Sequence, residues 1–494
     1  MIAEHLPVLQ IIVPLLSAPF CMFIRHPKLA WAWATLVSWL CLPMAIGNLM
    51  TVLDKGVVVY EIGEWAAPWG IEYRLDSLNA FVLVIVAMVG AVVFPYARKS
   101  VEREIPASRT YLFYAMMLLC MTGLMGITIT GDAFNLFVFL EVSSLSTYVL
   151  ISFGRDRRAL TGAYNYLIMG TIGATFYIIG VGLMYMVTGT LNIADLAKLV
   201  PSLTDNRTLQ AALAFLTVGL ALKAALFPLH MWLPNAYTYA PSTVTAFLAA
   251  TATKVAVYAF IRVVFSIFGG VDILALLPVR EALMVLALVG MFAGSAVAIY
   301  QADVKRVLAY SSVAQIGYMI LGISFDTVTG VTAGIVHLFN HALMKGGLFL
   351  AIGAVAYQIG SVKIADMAGL GKRMPLTMAA FVVGGLSLIG VPLTAGFISK
   401  WYLIQAAIEQ GWWPVAVLIV LSSLLAVIYV WRIVEVAYFR PLPAGAQDIK
   451  PAPLSMIIPT WVLIGATVYF GIDATTTLDV AGTAARALVP GAMP

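Results

Sequence analysis

Long uninterrupted apolar runs recur along the whole 494-residue chain and limit what it can fold into. Hydrophobic residues make up 62% of the chain and charged residues 10%, which is typical of an integral membrane protein. About fourteen runs are long enough to cross a bilayer of about 30 Å. They begin near Leu6, Leu29, Ser77, Tyr111, Ala133, Thr161, Leu209, Val244, Ala282, Val307, Val328, Leu376, Pro414 and Met456. Since the runs lack the alternation of a membrane barrel, they predict an all-α polytopic membrane protein.

Basic residues are concentrated in every second loop, while the alternate loops are acidic or neutral, as in "DKGVVVYEIGEWAAPWGIEYRLD". By the positive-inside rule the basic loops face the cytoplasm, which places both termini outside and agrees with an even number of spans. The net charge of +5 therefore reflects topology, and we expect no nucleic-acid partner. The basic groups are Arg25 and Lys28; Arg98, Lys99, Arg103 and Arg109; Arg155, Arg157 and Arg158; Lys305 and Arg306; Lys363, Lys372 and Arg373; and Arg432, Arg440 and Lys450.

Several classes of site and segment are not expected from the sequence. The first run has no basic n-region and no cleavage signal, so it predicts a retained helix, not a signal peptide. Cys21, Cys41 and Cys120 lie in apolar runs without metal-ligand spacing and are interpreted as packing residues. Because no nucleotide loop or flavin fingerprint occurs, we expect no cofactor, and any redox chemistry would belong to partner subunits.

Two of the apolar runs are interrupted by proline and glycine. The first, "LALKAALFPLHMWLPNAYTYAPSTVTAFLAA", contains Pro228, and the second, "GGLSLIGVPLTAGFISKWYLIQ", contains Pro392 between Gly390 and Gly396. Neither can be a continuous helix. A pair of broken spans in corresponding positions of two halves is typical of transporters with inverted repeats, although proline kinks alone are common in membrane helices.

This pairing predicts two inverted five-helix repeats, each containing a broken helix. The spans from Tyr111 to about Phe268 would form the first repeat, and those from Ala282 to about Val436 the second. No linker or low-complexity tract separates soluble domains. The expected divisions are 1–110 for the first three helices, 111–270 and 271–437 for the two repeats, and 438–494 for a C-terminal loop and the last helix.

Few ionisable side chains lie within the spans. A charged group at a helix centre costs about 2.5–3.5 kcal/mol, so each needs a partner, a hydrated cavity or a functional reason. They are Glu141, Lys223, Lys254, Lys345 and Lys400, with His230, His337 and His341, and with Arg262 nearer a helix end.

Glu141 is the only acid well inside a predicted span. Ser143, Ser144, Ser146 and Thr147 follow it and could hydrogen-bond its carboxylate or hold water near it. Beside a lysine a buried carboxylate is charged, whereas alone it is neutral, so the proton occupancy of such a pair depends on the distance between the groups. The alternative is a structural ion pair between helices.

Lysines accompany both broken spans. Lys223 lies just before Pro228, where an interrupted helix leaves carbonyl groups free, and Lys400 lies just after the second break. A desolvated lysine can carry a proton reversibly. Lys254 is flanked by small residues and threonines that leave room for water.

The segment "HLFNHALMKGGLFL" places His337, His341 and Lys345 on one face of a helix, beside Asn340. Histidine titrates near neutral pH and is suited to passing protons. Two histidines in this spacing could also share a metal, but no HExxH glutamate and no nearby Asp or Cys supplies a third ligand, so we expect no metal site. A structural histidine cluster is the other alternative.

Four segments together resemble a known family: "DVKRVLAYSSVAQIGYM", "FPLHMWLPNAYTYAPSTVTAFLAA", "HALMKGGLFL" and "GVPLTAGFISKWYL". They are similar to segments of the antiporter-like subunits shared by Mrp-type Na+/H+ antiporters and the membrane arm of NADH:quinone oxidoreductase (complex I). The likeness extends from about Tyr111 to Val436, and the ending of the chain looks most like that of the D-type subunit of Mrp antiporters. The resemblance implies a glutamate–lysine pair at Glu141 and Lys223, a bridging lysine at Lys254, a central region at His337 and His341, and a charged group at Lys400.

The resemblance implies a proton-translocating subunit of a multisubunit Mrp-type Na+/H+ antiporter in the bacterial plasma membrane, a secondary transporter subunit and not an enzyme. Protons would move through buried glutamate, lysine and histidine side chains along the membrane midplane. Its partners would be other membrane subunits, the lipid bilayer, and H+ and Na+ as transported ions. The alternative is a pump subunit of a complex I-like redox enzyme. A purely structural subunit is disfavoured because a scaffold gains nothing from burying these charges.

Overall fold

The computed structural model describes residues 2–269, 279–442 and 449–489, and this part of the chain is nearly all-helical. In the first half the helices are α1 (Leu6–Ile24), α2 (Pro27–Lys55), α3 (Ser77–Glu104), α4 (Thr110–Ile129), α5 (Ala133–Ser152), α6 (Arg158–Thr188), α7 (Ile193–Leu199), α8 (Arg207–Ala224), α9 (Trp232–Tyr239) and α10 (Ser242–Ile261). In the second half they are α11 (Val279–Ile299), α12 (Val304–Ser324), α13 (Val328–Ile359), α14 (Leu370–Arg373), α15 (Pro375–Ile389), α16 (Ala395–Glu409), α17 (Trp413–Phe439), α18 (Leu454–Ile472) and α19 (Thr475–Leu488).

Twelve of the described helices are long and apolar enough to cross a membrane. They correspond to twelve of the predicted runs. The other two predicted runs are the interrupted ones, which the structure divides into α8 with α9 and α15 with α16. The C-terminal helix α19, which follows the last predicted span, was not expected from the sequence.

The all-α prediction missed a small antiparallel sheet between α2 and α3. Its strands are β1 (Val58–Glu61) and β2 (Glu72–Leu75), with Val58 opposite Leu75. Asp76 follows β2 directly and caps α3, because its carboxylate accepts the backbone N–H groups of Leu78 and Asn79. The strands are too short to stand out among the apolar runs.

The same backbone junction occurs twice in the molecule. Asp132 caps α5 and Asp303 caps α12, and Gly189 and Gly360 end α6 and α13 with the same φ of 71°. The strand-like contacts that tie each cap to the segment after the long helix also match in length, at 2.9 Å. They join Ala133 N to Leu191 O and Ile193 N to Gly131 O in the first half, and Val304 N to Val362 O and Ile364 N to Ala302 O in the second.

Both interrupted helices end in a left-handed residue. Ala225, with φ 58°, follows α8, and Gly390, with φ 90°, follows α15. The chain then re-enters helix at Trp232 and at Ala395. The expected boundary between the two repeats, at 270 and 271, lies outside the described residues, as does part of the expected C-terminal loop, 443–448.

Candidate functional site

The first broken helix carries an ion pair whose lysine is buried and whose glutamate is partly exposed. Lys223, in the last turn of α8, places its Nζ 3.5 Å from Oε1 of Glu141 on α5 and donates a hydrogen bond of 2.7 Å to the hydroxyl of Ser144. The lysine side chain is 4% exposed, whereas the glutamate side chain is 25% exposed. The carboxylate therefore joins a buried amine to the surface of this chain.

The hydroxyl groups predicted to support Glu141 have different hydrogen-bond partners. Among them, Ser144 contacts the pair. Ser143 donates to the carbonyl of Leu140, and Thr147 donates to the carbonyl of Ser143, so both satisfy backbone groups of their own helix. Ser144 therefore adds a neutral partner that competes with the carboxylate for the lysine.

The carbonyls expected near Lys223 are not its partners. The indole of Trp232 donates to the carbonyl of Leu222 at 3.0 Å. Its ring stacks on Tyr166 with the centroids 3.9 Å apart, which holds the indole in place. The carbonyl of Leu222 thus accepts both the indole of Trp232 and the backbone N–H of Ala225, and the Lys223 amine bonds to Glu141 and Ser144.

Lys254 lies near the middle of α10 and is 1% exposed. Its Nζ contacts the carbonyl of Ala249 and lies 3.3 Å from the hydroxyl of Thr253. Neither partner is charged, and no carboxylate pairs with it among the ion pairs of the described chain. This lysine is held by neutral oxygen atoms alone.

His337 and His341 lie one turn apart on α13, with their rings nearly parallel and the centroids 6.1 Å apart. Both are fully buried. His337 is anchored through Nδ1 to the hydroxyl of Ser399 on α16, at 2.8 Å. Within the described residues, Nε2 of His337 and both ring nitrogens of His341 have no hydrogen-bond partner. Unpaired buried nitrogens are costly for a purely structural pair, which weakens that alternative.

Lys345 shares the helical face of the two histidines but turns toward α12. Its Nζ donates to the carbonyl of Leu308 at 2.8 Å and contacts the hydroxyl of Ser311. The side chain is fully buried. Of the three residues that the sequence places in one stripe, His337 and Lys345 therefore bond to two different neighbouring helices.

Lys400 is bound to the second break itself. Its Nζ donates to the carbonyls of Leu388 and Ile389 at 3.0 and 2.9 Å, where α15 ends. The C-terminal end of a helix carries partial negative charge and favours a cation. The amine also lies 4.8 Å from the ring centroid of Tyr318, a favourable cation–π distance.

His230 lies in the segment between α8 and α9, next to Pro228. Its ring lies beside Phe227, with centroids 5.3 Å apart, and approaches Tyr310 edge-on at 6.4 Å. Its Nδ1 has no hydrogen-bond partner in the described part of the chain. The structure places it among aromatic rings, and no contact within that part joins it to Glu141 or Lys223.

Sequence reasoning missed several partners of these groups. Ser399 directly precedes Lys400, and Ser311 and Tyr318 lie inside the motif "DVKRVLAYSSVAQIGYM". All three therefore belong to segments that the sequence singles out, but the sequence alone assigns them no role. Gln315 is also buried there, with its Oε1 unpaired among the described residues. Only the packing of α12, α13 and α16 shows which lysine or histidine each one meets.

Arg262, whose role the sequence left open, begins a π-helical segment, Arg262–Ile267, that continues α10. Its guanidinium lies 2.5 Å from Oδ1 of Asp76, and its Nε donates to the hydroxyl of Tyr258 at 2.9 Å. The described residues contain no group of three or more His, Cys, Asp or Glu that could hold a metal ion.

Comparison with known proteins identifies the family. Residues 130–426 match the family described as "NADH:quinone oxidoreductase/Mrp antiporter, TM". NADH-quinone oxidoreductase subunit N of Desulforudis audaxviator is 42% identical over 95% of this chain and 96% of its own length. The D-type subunit of the Na(+)/H(+) antiporter of Alkalihalophilus pseudofirmus is 30% identical over 95% and 94%. A chain of the Mrp complex from Dietzia sp. DQ12-45-1b superposes with a TM-score of 0.90 at 28% identity, covering 99% of this chain and 98% of that one. The protein is therefore a multi-pass membrane subunit that belongs to the NADH:quinone oxidoreductase/Mrp antiporter transmembrane family.

Proposed function

We propose that this chain translocates protons as a subunit of a multisubunit membrane complex. The observation that carries the proposal is the buried contact between Glu141 and Lys223, at 3.5 Å, beside the break in α8. An isolated buried charge in a membrane helix is costly, and a pair that also includes a competing hydroxyl can rearrange at small cost. The pair is thus a site where the proton on Lys223 can respond to movement of α5 or α8.

The remaining buried groups support a path across the molecule. Lys254 lies within electrostatic range of His337 and His341, and Lys400 is also close enough to interact with both. We infer the order Glu141–Lys223, Lys254, His341, His337 and Lys400. Histidine and lysine can each take up and release a proton, and the unpaired ring nitrogens provide the positions for transfer.

The mechanism follows from Coulomb's law in a medium of low dielectric constant. When Glu141 is close, its negative charge favours the protonated form of Lys223. When the two groups separate, Lys223 loses that stabilisation and passes its proton toward Lys254. Arrival of a proton there repels positive charge at the histidines, so transfer continues toward Lys400.

We also infer that the two interrupted helix pairs cross the membrane, giving fourteen crossings in two inverted repeats. The matched junctions at Asp132 and Asp303 support repetition of the same unit. At the helical position where α5 carries Glu141, α12 carries Ser312, so the two units differ in charge. The basic loops would face the cytoplasm of a bacterial cell and both termini the outside.

The complex to which the chain belongs has two candidates, and each has an observation in its favour. A Mrp-type Na+/H+ antiporter is supported by the superposition on the Dietzia complex, although a chain of an archaeal respiratory membrane complex superposes with the same TM-score of 0.90. A redox-driven proton pump is supported by the higher sequence identity, 42% against 30%, to a subunit of NADH-quinone oxidoreductase. The geometry of the proton path is the same in both. In either complex this subunit performs no catalysis, and electron transfer would belong to its partners.

Proton movement in inverted membrane vesicles tests the proposal. The vesicles are prepared from a host that lacks its own antiporters and expresses the whole operon. A pH-sensitive dye reports the proton gradient. Wild type is compared with Glu141→Ala and Lys223→Ala after immunoblots have established that each complex assembles. Added Na+ and added NADH are the two driving conditions.

The proposal expects proton movement in wild type and none in either assembled variant. Na+-dependent movement identifies an antiporter, and NADH-dependent pumping identifies a redox-driven complex. Proton movement at the wild-type rate in both assembled variants would contradict the role of the pair, whichever condition drives it.

A further inference from the structure

An exposed groove lies between α2, α3 and α18, and none of the residues that line it belongs to the proposed proton path. Its volume is about 450 Å³. The apolar wall consists of Trp31, Leu36 and Trp39 on α2 and Ile458 on α18, and all except Trp31 are strongly exposed. We refer to it as the tryptophan groove.

Two cations close one end of the tryptophan groove. Arg98 and Lys99 on α3 are part of its lining, and the Arg98 guanidinium lies 4.9 Å from the ring centroid of Trp31. The stacking holds the cation against the apolar wall. The groove therefore has a charged end and an apolar body.

A second, smaller cavity of about 110 Å³ adjoins the charged end, since Trp31 and Arg98 line both. Lys28 and Glu102 contribute to this smaller cavity. Glu102 lies 3.5 Å from Arg98 and 3.1 Å from Lys99 and so offsets one of the charges. Three cations and one carboxylate leave an excess of positive charge at this end.

Hydrogen bonds to the backbone of α3 hold both tryptophans of the groove, and proline frees one of the two carbonyls. Pro95 has no N–H, so it cannot satisfy the carbonyl of Ala91 in α3. The indole of Trp39 donates to that carbonyl at 3.0 Å, and the indole of Trp31 donates to the carbonyl of Phe94 at 3.0 Å. Both rings are fixed in position before any ligand binds.

We propose that the tryptophan groove binds one phospholipid, with its phosphate at Arg98 and Lys99 and an acyl chain along Trp31, Leu36 and Trp39. Charge complementarity favours this occupant, because a phosphate provides the anion for the excess of positive charge. Tryptophan and cationic residues at one level of a membrane protein are typical of the headgroup region. An anionic lipid binds more tightly than a zwitterionic one, since its headgroup adds no positive charge next to the cations.

Native mass spectrometry of the complex, purified in mild detergent and delipidated, tests this site. The probe is phosphatidylglycerol, with phosphatidylcholine and inorganic phosphate as comparisons. The double variant Arg98→Gln/Lys99→Gln removes the charges, and Ala32→Trp fills the groove without removing any charge. Arg440→Gln, which removes an exposed cation outside the groove, is the matched control.

We expect both groove variants to lower phosphatidylglycerol occupancy about tenfold and the control to leave it unchanged. Wild type should retain phosphatidylglycerol in preference to phosphatidylcholine, and phosphate alone should not compete. Equal occupancy in all variants, or competition by phosphate alone, would overturn the proposal. A photoreactive group at position 32 that labels another protein subunit and no lipid would also overturn it, because the groove would then be a subunit interface.

Discussion

Two partly buried ion pairs in the described part of this protein differ in their geometry and in the cation that they contain, although their carboxylates are about equally exposed, at 25% and 26%. In the Glu141–Lys223 pair the atoms lie 3.5 Å apart, and the lysine shares its amine with Ser144. In the Asp76–Arg262 pair they lie 2.5 Å apart, and the arginine also binds Tyr258 and Ser266. A lysine can give up its proton, whereas arginine stays charged.

The comparison separates a pair that can change state from a pair that holds the fold. Asp76 is fixed twice more as the cap of α3, so neither partner in that pair can move without breaking several bonds. Glu141 has no comparable set of donors among the described residues, where Lys223 is its hydrogen-bond partner. Loose geometry around a titratable lysine is what a proton-carrying pair requires.

The largest effect is expected from Lys223→Ala. Removing the amine leaves no group next to Glu141 that can pass a proton onward, so proton flux in assembled vesicles should fall at least about a hundredfold. Lys198→Ala removes a lysine from an exposed pair with Asp195 and is the matched control. Equal loss in both variants would show that the effect does not depend on the buried pair.

Asp76→Asn should reduce stability instead of transport. Removing one partner of a buried ion pair costs about 3 kcal/mol or more, because Arg262 is left without its counter-charge. The thermal unfolding midpoint of the purified protein measures this loss. Flux per folded molecule should stay near the wild-type value, and an unchanged midpoint would rule out the structural role.

The acid dependence of stability follows from the same pair. Burial alone raises the pKa of Asp76, but the Arg262 guanidinium and the N–H groups at the start of α3 outweigh it and hold the pKa below its ordinary value. The stabilisation is therefore fully present above the ordinary value of about 3.9 and is lost as pH falls through the lowered pKa. Asp76→Asn should flatten this acid-dependent part of an unfolding curve, and an unchanged slope in this variant would contradict the assignment to Asp76.

His337 and His341 differ in their hydrogen-bond partners, as the two ion pairs do. His341 has no hydrogen-bond partner among the described residues, whereas His337 is held by Ser399. We expect His341→Ala to reduce proton flux about tenfold, since it removes a transfer position between Lys254 and His337. Flux equal to wild type would show that His341 is not part of the proton path, and the proposed role of the Glu141–Lys223 pair would not depend on it.

The smallest effect concerns the hydroxyl that competes for Lys223. Ser144→Ala removes the 2.7 Å hydrogen bond and should change flux only about twofold to fivefold, consistent with about 0.5–1 kcal/mol for one neutral partner. Ser143→Ala is the control, because its hydroxyl bonds to its own helix and not to the lysine. A larger change for Ser143→Ala would indicate that helix distortion, not the contact with Lys223, is responsible.

Much of the fold could be predicted from the sequence because its signals are local. Apolar runs report membrane-spanning helices, and Pro228 and Pro392 report where two of them break. Lysines in such runs are conspicuous because a charged group within a membrane helix is energetically costly. The small sheet and α19 were missed because neither has a strong apolar pattern.

The partners of the site residues could not be predicted, since they come from distant parts of the chain. At the end of α8 the indole of Trp232 bonds to a carbonyl, whereas at the end of α15 the amine of Lys400 bonds to two. The sequence of the two breaks does not show this difference. The Asp76–Arg262 contact joins residues that are 186 positions apart in the sequence. Only packing of the helices decides which cation meets a carboxylate.

Exchanging the two cations distinguishes a lysine that releases its proton from a lysine that acts only as a fixed charge. Lys223→Arg keeps the charge beside Glu141 but removes the ability to release a proton, and Arg262→Lys makes the opposite change in the other pair. Proton flux is measured in vesicles that contain equal amounts of assembled complex. We expect no flux from Lys223→Arg and flux close to wild type from Arg262→Lys. Wild-type flux from Lys223→Arg would contradict the account, because it would mean that the lysine acts only as a fixed charge.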